Sequence, residues 1–463
     1  MNLQGRGLES AFPLATVGRM SLGSRLFRTP VRRSPAAGAA AAGLVAALAL
    51  TGAPAAQATH PAYPAYPAPG QPLRAEQPDP STSMVAKDGE DLRVATLDAG
   101  LTGRDAETLL ADLRDGEDAA AETVAATAQI ADPDVLVLTG VTLDEEGRIA
   151  EVLNSDYISH GQSGNRGLTL EHVFTAETNS GAGSGTDLDG DGRIGGAGDR
   201  LGWGAHPGQE GMIVLSSVPI DRDAVRTFGD FRWVQMPGNS MPDILDTPLQ
   251  RAVPPVSSTS LWDVPLEVGR QHLHLVATAS TAPRSDRRID AFRAIDERRM
   301  LADYVAGAAG QGWYLRDDDG EAGGLATGSS FVVAGAPATA ETLSALGDDA
   351  PSAVREAAEE RPLLDADGLQ DPEPRPVTDE PVAERGDEQA GSAPTDTRSL
   401  AGGEGMRASY VLPDADLSVR DAGIFWPAAD EYGSGLVDPA DGETPQDRLV
   451  WTDISRGSLD GDA

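Results

Sequence analysis

Between Leu92 and Ile454 the apolar residues come in short, β-rich runs, each separated from the next by turn residues, and this spacing limits the fold more than any other feature. The runs are Leu92 to Leu97, Asp134 to Thr139, Leu170 to Ala176, Gly211 to Ser216, Leu261 to Val268, Gln271 to Ala279, Phe331 to Gly335, Ala408 to Leu412 and Arg448 to Ile454. Their length and composition predict strands. Two stretches have a helical character instead: the Ala-rich Asp118 to Ala131, and Ile289 to Ala306, where Phe292, Ile295, Leu301, Tyr304 and Val305 recur at helical spacing. The first of these lies between two strands, which is β-α-β order. Heptads and G-X-Y repeats are absent, so coiled-coil and collagen-like folds are excluded. A chain of 463 residues with 40% hydrophobic content is long enough to close one large core or two ordinary ones.

The segments outside this region have a different composition. Residues 1–58 hold six arginines and one acid, Glu9; a basic stretch from Arg25 to Arg33 precedes the apolar Ala36 to Leu50 and then Ala56-Gln57-Ala58. That order predicts a secretory signal peptide over 1–58, with cleavage after Ala58, and its apolar part is short for a membrane span, which needs roughly 20 residues. Residues 59–90 form a Pro/Ala-rich linker, 91–455 the folded domain and 456–463 a polar tail. Within the domain, Asp348 to Arg398 carries 15 acids, 5 arginines and 7 prolines, which predicts a disordered acidic insertion at about 348–400, with a short helix somewhere between Pro351 and Leu364. The expected location is secreted, extracellular or at the cell envelope, with no transmembrane segment after cleavage and an unidentified partner there. A formal net charge of −37 disfavours nucleic-acid binding. The absence of cysteine excludes disulfides, thiolate metal sites and a cysteine nucleophile.

Several strings stand in order: Asp187 to Ile220, then Val225 to Phe228 with Trp233, Trp262 to Pro265, Tyr410 to Pro413, Asp421 to Pro427 and Arg448 to Trp451. Together they resemble the endonuclease/exonuclease/phosphatase superfamily, in its branch of large secreted bacterial proteins. The resemblance covers about Asp91 to Ile454. It implies an α/β fold, a sandwich of two mixed β-sheets flanked by helices, and a metal-dependent phosphoester hydrolysis. In that chemistry carboxylates hold the metal, a His–Asp pair activates water, and Asn, Asp and a second His orient the phosphate.

The places that the resemblance assigns to those groups are altered in this chain. Asp98 stands where an Asn is expected, and Gly140 where the main metal carboxylate is expected. Ala279 replaces a histidine; Ala336 and Ala338 replace an Asp and an Asn; Ser409 replaces an Asp; Gln446 and Asp447 replace the closing Asp and His. No histidine follows His274, so no alignment can supply a C-terminal general base. The expectation is a pseudoenzyme with a binding or scaffolding role. The alternative is a phosphoester hydrolase with an atypical site, using Mg²⁺ or Mn²⁺ and drawing on Asp98, Asp144 and Asp447.

One further motif carries chemistry. Asp187, Asp189 and Asp191, with Gly192 and Ile194, form the first half of an EF-hand-type loop, to which Arg193 would add its backbone carbonyl. Position 12, normally a bidentate Glu, is Gly198, with Asp199 one place later. The pattern suits a structural Ca²⁺ site and equally an acidic solvated turn. Four other features have ordinary readings. His272 and His274 share one face of a strand, His206 lies in a loop, and no Gly-x-Ser-x-Gly elbow occurs. The arginine-rich Arg284 to Arg299 reads as an ion-paired solvated helix face.

Overall fold

A computed structural model describes residues 84–280, 288–307, 310–344, 351–360, 363–366, 368–378, 394–399, 405–428, 430–437 and 447–459. The strands are β1 (Asp91–Leu101), β2 (Val135–Val141), β3 (His172–Phe174), β4 (Gly211–Ser216), β5 (Arg226–Thr227), β6 (Ser260–Val268), β7 (Gln271–Ala279), β8 (Ser330–Ala336), β9 (Arg375–Pro376), β10 (Arg398–Ser399), β11 (Gly405–Met406), β12 (Tyr410–Pro413), β13 (Val419–Ile424) and β14 (Val450–Ser455). The helices are α1 (Ala106–Arg114), α2 (Ala119–Ala131), α3 (Arg148–Val152), α4 (Pro248–Ala252), α5 (Arg288–Val305), α6 (Ala340–Ser344), α7 (Ser352–Ala358) and α8 (Arg456–Leu459).

Two mixed sheets form the sandwich expected from the sequence. One has the order β3-β4-β2-β1-β14-β13-β9 and the other β12-β8-β7-β6-β5, while β10 and β11 make a separate ribbon. In the first sheet β1 runs parallel to β2 and antiparallel to β14. In the second β7 runs parallel to β8, and the other pairs are antiparallel. β1 and β2 are central and covered on both faces, which is why they read as nearly continuous apolar runs.

The second sheet sorts its residues strictly by alternation. Trp262, Val264 and Leu266 of β6, Leu273, Leu275 and Ala277 of β7, Val332 and Ala334 of β8 and Val411 of β12 join the core shared with the first sheet. Their neighbours Leu261, Val276, Phe331, Val333, Tyr410 and Leu412 face a second core under α5. Each such fully buried aliphatic side chain contributes about 1.5–3 kcal/mol of transfer free energy. The outer face of the first sheet is covered by α1 and α2 through Leu109, Leu113, Val124 and Ala128. Both helices start on an aspartate, Asp105 accepting the N–H of Thr108 at 2.9 Å and Asp118 that of Ala121 at 2.9 Å.

The structure corrects four expectations. The polar side of α5 is not solvated: Arg293, Asp296, Glu297 and Arg298 are all buried, and Asp296 accepts from Trp233 Nε1 at 2.5 Å and from the Ser240 N–H at 2.6 Å. Asp296 also pairs with its helix neighbour Arg299 at 3.3 Å, but its other partners and those of Arg298 lie far away in the chain, so spacing along the helix could not reveal the burial. Parts of the acidic stretch pack onto the domain: Val354 and Ala357 of α7 pack against Ala291 and Ala294 of α5, β9 pairs with β13, and Thr397 is fully buried. The linker ends earlier than residue 90, because Met84 is buried and Lys87 reaches Asp134 at 3.0 Å. The polar tail begins as α8, with Leu459 buried. The signal peptide, residues 59–83 of the linker, 379–393 of the insertion and the last four residues lie outside the described residues. No helix among the described residues is long and apolar enough to cross a membrane.

Candidate functional site

The parallel pairs β1/β2 and β7/β8 end on the same crevice, because each strand's carboxyl end releases the chain into a loop there. Asp98 comes from β1, Thr139 and Gly140 from β2, Ala279 and Ser280 from the end of β7, and Ala336 to Ala338 from the end of β8. Trp203 and Glu210 lean in from a loop before β4, and Arg398 from the β10–β11 ribbon. The cavity is about 390 Å³. Thus Asp98, Gly140, Ala279, Ala336 and Ala338 line one depression, and Ser409 and Asp447 lie beside it.

Its chemistry differs from a metal site at each of these positions. Gly140 has φ of +64°, and a Cβ built on it would lie 2.1 Å from Asp98 Oδ1. The Asp98 carboxylate therefore fills the space that a side chain at 140 would need, while also accepting the Gly100 N–H at 3.0 Å. Ala279 and Ala338 form a small apolar wall. Asp447 is fully buried: its Oδ1 accepts from Arg398 Nε and its Oδ2 accepts the Ser409 hydroxyl at 3.0 Å. Arg398 also reaches Asp98 Oδ2 through Nη2 at 3.2 Å.

Burial, reinforced by the nearby charge of Asp98 and opposed by Arg398, pushes the Asp447 carboxyl up to about 6. Burial disfavours the Arg398 charge, but Asp447, Asp98 and Glu210 more than offset it and hold the guanidinium above its ordinary pKa. Gln446 lies outside the described residues.

A divalent cation does not fit this arrangement. The position for its main ligand has no side chain, and the Arg398 guanidinium stands between the Asp98 and Asp447 carboxylates. Among the described residues the only His or acidic side chains that bring three ligand atoms within 4.8 Å of one another are Asp187, Asp189 and Asp191.

The other candidates lie elsewhere. Asp144 does not join Asp98: it accepts the Ile149 N–H at 2.8 Å and Arg148 Nε at 2.9 Å, holding the start of α3 beside a second, acidic depression of about 470 Å³. His272 and His274 sit near the start of β7, roughly 20 Å of strand from the crevice. His272 lies 3.6 Å from Asp221, and His274 Nδ1 bonds to Asp263 at 2.9 Å. His206 lies in a loop and does not line the crevice.

In the aspartate loop, Asp187 accepts the amides of Gly190 and Gly192, Asp189 that of Asp191, and Asp191 that of Arg193, at 2.7–3.1 Å. Asp199 stands apart from these three. It is buried, and although burial alone would raise it, the amides of Leu188, Gly196 and Gly195 hold its carboxyl below the usual range.

Sequence reasoning missed Arg398 and Glu210. Arg398 sat in a stretch read as coreless, and its partners lie 300 and 49 residues away, so no local pattern announced it.

The sequence model of the Endonuclease/Exonuclease/phosphatase family matches residues 109–335. Among solved structures, an endonuclease/exonuclease/phosphatase from Beutenbergia cavernae DSM 12333 is 15% identical, with 79% of this chain and 72% of that chain covered and a TM-score of 0.41. A family protein from Leptotrichia buccalis C-1013-b is 10% identical, with coverage of 78% and 99% and a TM-score of 0.37. A 3'-5' exonuclease from Neisseria meningitidis is 11% identical, with coverage of 79% and 100% and a TM-score of 0.36. No curated protein matches the chain.

Proposed function

We propose that the chain, whose residues 109–335 match the model of the Endonuclease/Exonuclease/phosphatase family, is an exported member of that family that has lost phosphoester hydrolysis and uses the fold to bind a partner outside the cell or at the envelope. One observation carries this reading: Gly140, with Asp98 filling its side-chain space, stands where the resemblance expects the metal carboxylate. The aliphatic Ala279, Ala336 and Ala338 support it, since they have no group to orient a phosphate or move a proton. The charge of −37 supports a partner other than a nucleic-acid backbone.

The test is the purified mature chain with Mg²⁺, Mn²⁺ or Ca²⁺, assayed on DNA, RNA, phosphomonoesters, a phosphoinositide and sphingomyelin. No turnover above a buffer control is expected. Turnover that vanishes on Asp98→Ala or Asp447→Ala would overturn the reading in favour of an atypical hydrolase. The aspartate loop adds a structural role to the proposal: Asp187, Asp189 and Asp191 hold a weak Ca²⁺ that braces the glycine-rich segment before β4.

A further inference from the structure

We infer that Arg398 is a built-in replacement for a bound cation: a fixed guanidinium that neutralises Asp98 and Asp447 and excludes divalent metal from the crevice. This rests on the reading above but concerns binding and stability rather than turnover. Three observations carry it.

The first is charge. Asp98 and Asp447 each contact the Arg398 guanidinium, through different nitrogens, and Glu210 adds its field from the loop before β4. Asp447 is fully buried, and a carboxylate there stays ionised only beside a fixed positive charge.

The second is placement. The residue before Arg398 is held on several sides: Thr397 N–H donates to the Met406 carbonyl, Arg448 N–H donates to the Thr397 carbonyl, and the fully buried Thr397 hydroxyl oxygen accepts from the Ala408 and Ser409 amides at 2.9 and 3.1 Å. The guanidinium is thus delivered by a ribbon anchored to the start of β12 and the approach to β14.

The third is juxtaposition. Asp98, Ser409 and Asp447 all depart from the pattern that the resemblance implies, and all three join Arg398 in one hydrogen-bonded chain, with Gly140 giving Asp98 its room. A guanidinium cannot lose its proton at physiological pH, so the cation is permanent.

Variants made in an Asp189→Ala background, which silences the aspartate loop, test this by thermal unfolding. Arg398→Ala is expected to melt roughly 5–10 °C lower than its parent, as removal of one partner from a buried pair does. Methylguanidinium or Mn²⁺, on the order of 10 mM, should restore part of that loss in Arg398→Ala and leave the parent unmoved. Adding Asp98→Asn to Arg398→Ala should abolish the Mn²⁺ response.

If Arg398→Ala does not fold, the neutral triple variant Arg398→Leu, Asp98→Asn, Asp447→Asn is the check, and it should be more stable than Arg398→Ala. Arg398→Ala with unchanged melting and no response to either cation would overturn the inference, as would a triple variant no more stable than Arg398→Ala. Phosphoesterase activity in the wild type would sink the pseudoenzyme reading and leave these melting results to judge Arg398 independently.

Discussion

At Gly140 two constraints meet in one residue: a left-handed φ that favours glycine, and a neighbouring carboxylate where a Cβ would go. Gly140→Glu is therefore expected to lower stability by about 1–3 kcal/mol and to produce no hydrolysis, checked by melting and by the substrate panel. Repairing one place cannot rebuild the site, because its surroundings have been rearranged around the glycine. Glu297 gives a pH prediction at the same scale. Burial, against the Ser258 amide and the Arg293 charge and with Asp290 adding repulsion, pushes its carboxyl from 4.5 up to about 7. A raised carboxylate means that the folded state binds the proton more tightly than the unfolded one. Folding is then disfavoured above the folded value, and the penalty is relieved as pH falls through about 7 toward 4.5. Asp447, at about 6, has the same sign. The shift at Glu297 corresponds to roughly 3 kcal/mol. The melting temperature should rise between pH 8 and pH 5, and Glu297→Gln should flatten that rise. An unchanged slope in the variant would refute the assignment.

Among the elements, α5 departs furthest from its sequence pattern. Its charges bind loops: Asp296 holds Trp233 and Ser240, and Arg298 donates to the Glu360 carbonyl at 2.9 Å. The helix thus ties the segment between β5 and β6 to the acidic stretch after α6. Asp296→Ala leaves the buried Trp233 Nε1 and the Ser240 amide without their acceptor, and should lower stability by about 2–4 kcal/mol, measured by denaturant unfolding. The aspartate loop belongs to the same scale. With Gly198 at position 12, and Asp199 turned inward, its calcium affinity is expected in the 10⁻⁴ to 10⁻³ M class. Calcium should raise the melting temperature, and Asp189→Ala should remove the response. A flat titration of the wild type up to tens of millimolar would show that the loop is only a solvated turn.

Over the whole molecule, the expected route is export: N-terminal sequencing of protein from culture medium should begin near Thr59, and a cell-retained product still carrying Met1 would contradict it. The architecture was legible because a sandwich writes itself locally. Alternation along Leu261 to Val268 and Gln271 to Ala279 follows from two faces meeting two different cores, and central strands covered on both sides become unbroken apolar runs. β13 was missed as a strand because Arg420 and Asp421 interrupt its apolar pattern, and it exists through backbone pairing with β14. The convergence of Asp98, Gly140, Ala279, Ala336 and Ala338 on one crevice was also foreseeable, since strand order dictates which carboxyl ends share an edge. The sequence by itself therefore determined the long core strands and the altered places at their ends, because burial acts through short-range periodicity. Only the tertiary structure decided that the altered places are joined by Arg398, that Asp144 and Asp199 serve as local caps, and that the charges of α5 lie inside. Those outcomes depend on ion pairs and hydrogen bonds between residues far apart in the chain, up to 300 positions for Arg398 and Asp98, and long-range electrostatic pairing leaves no period for a sequence to display.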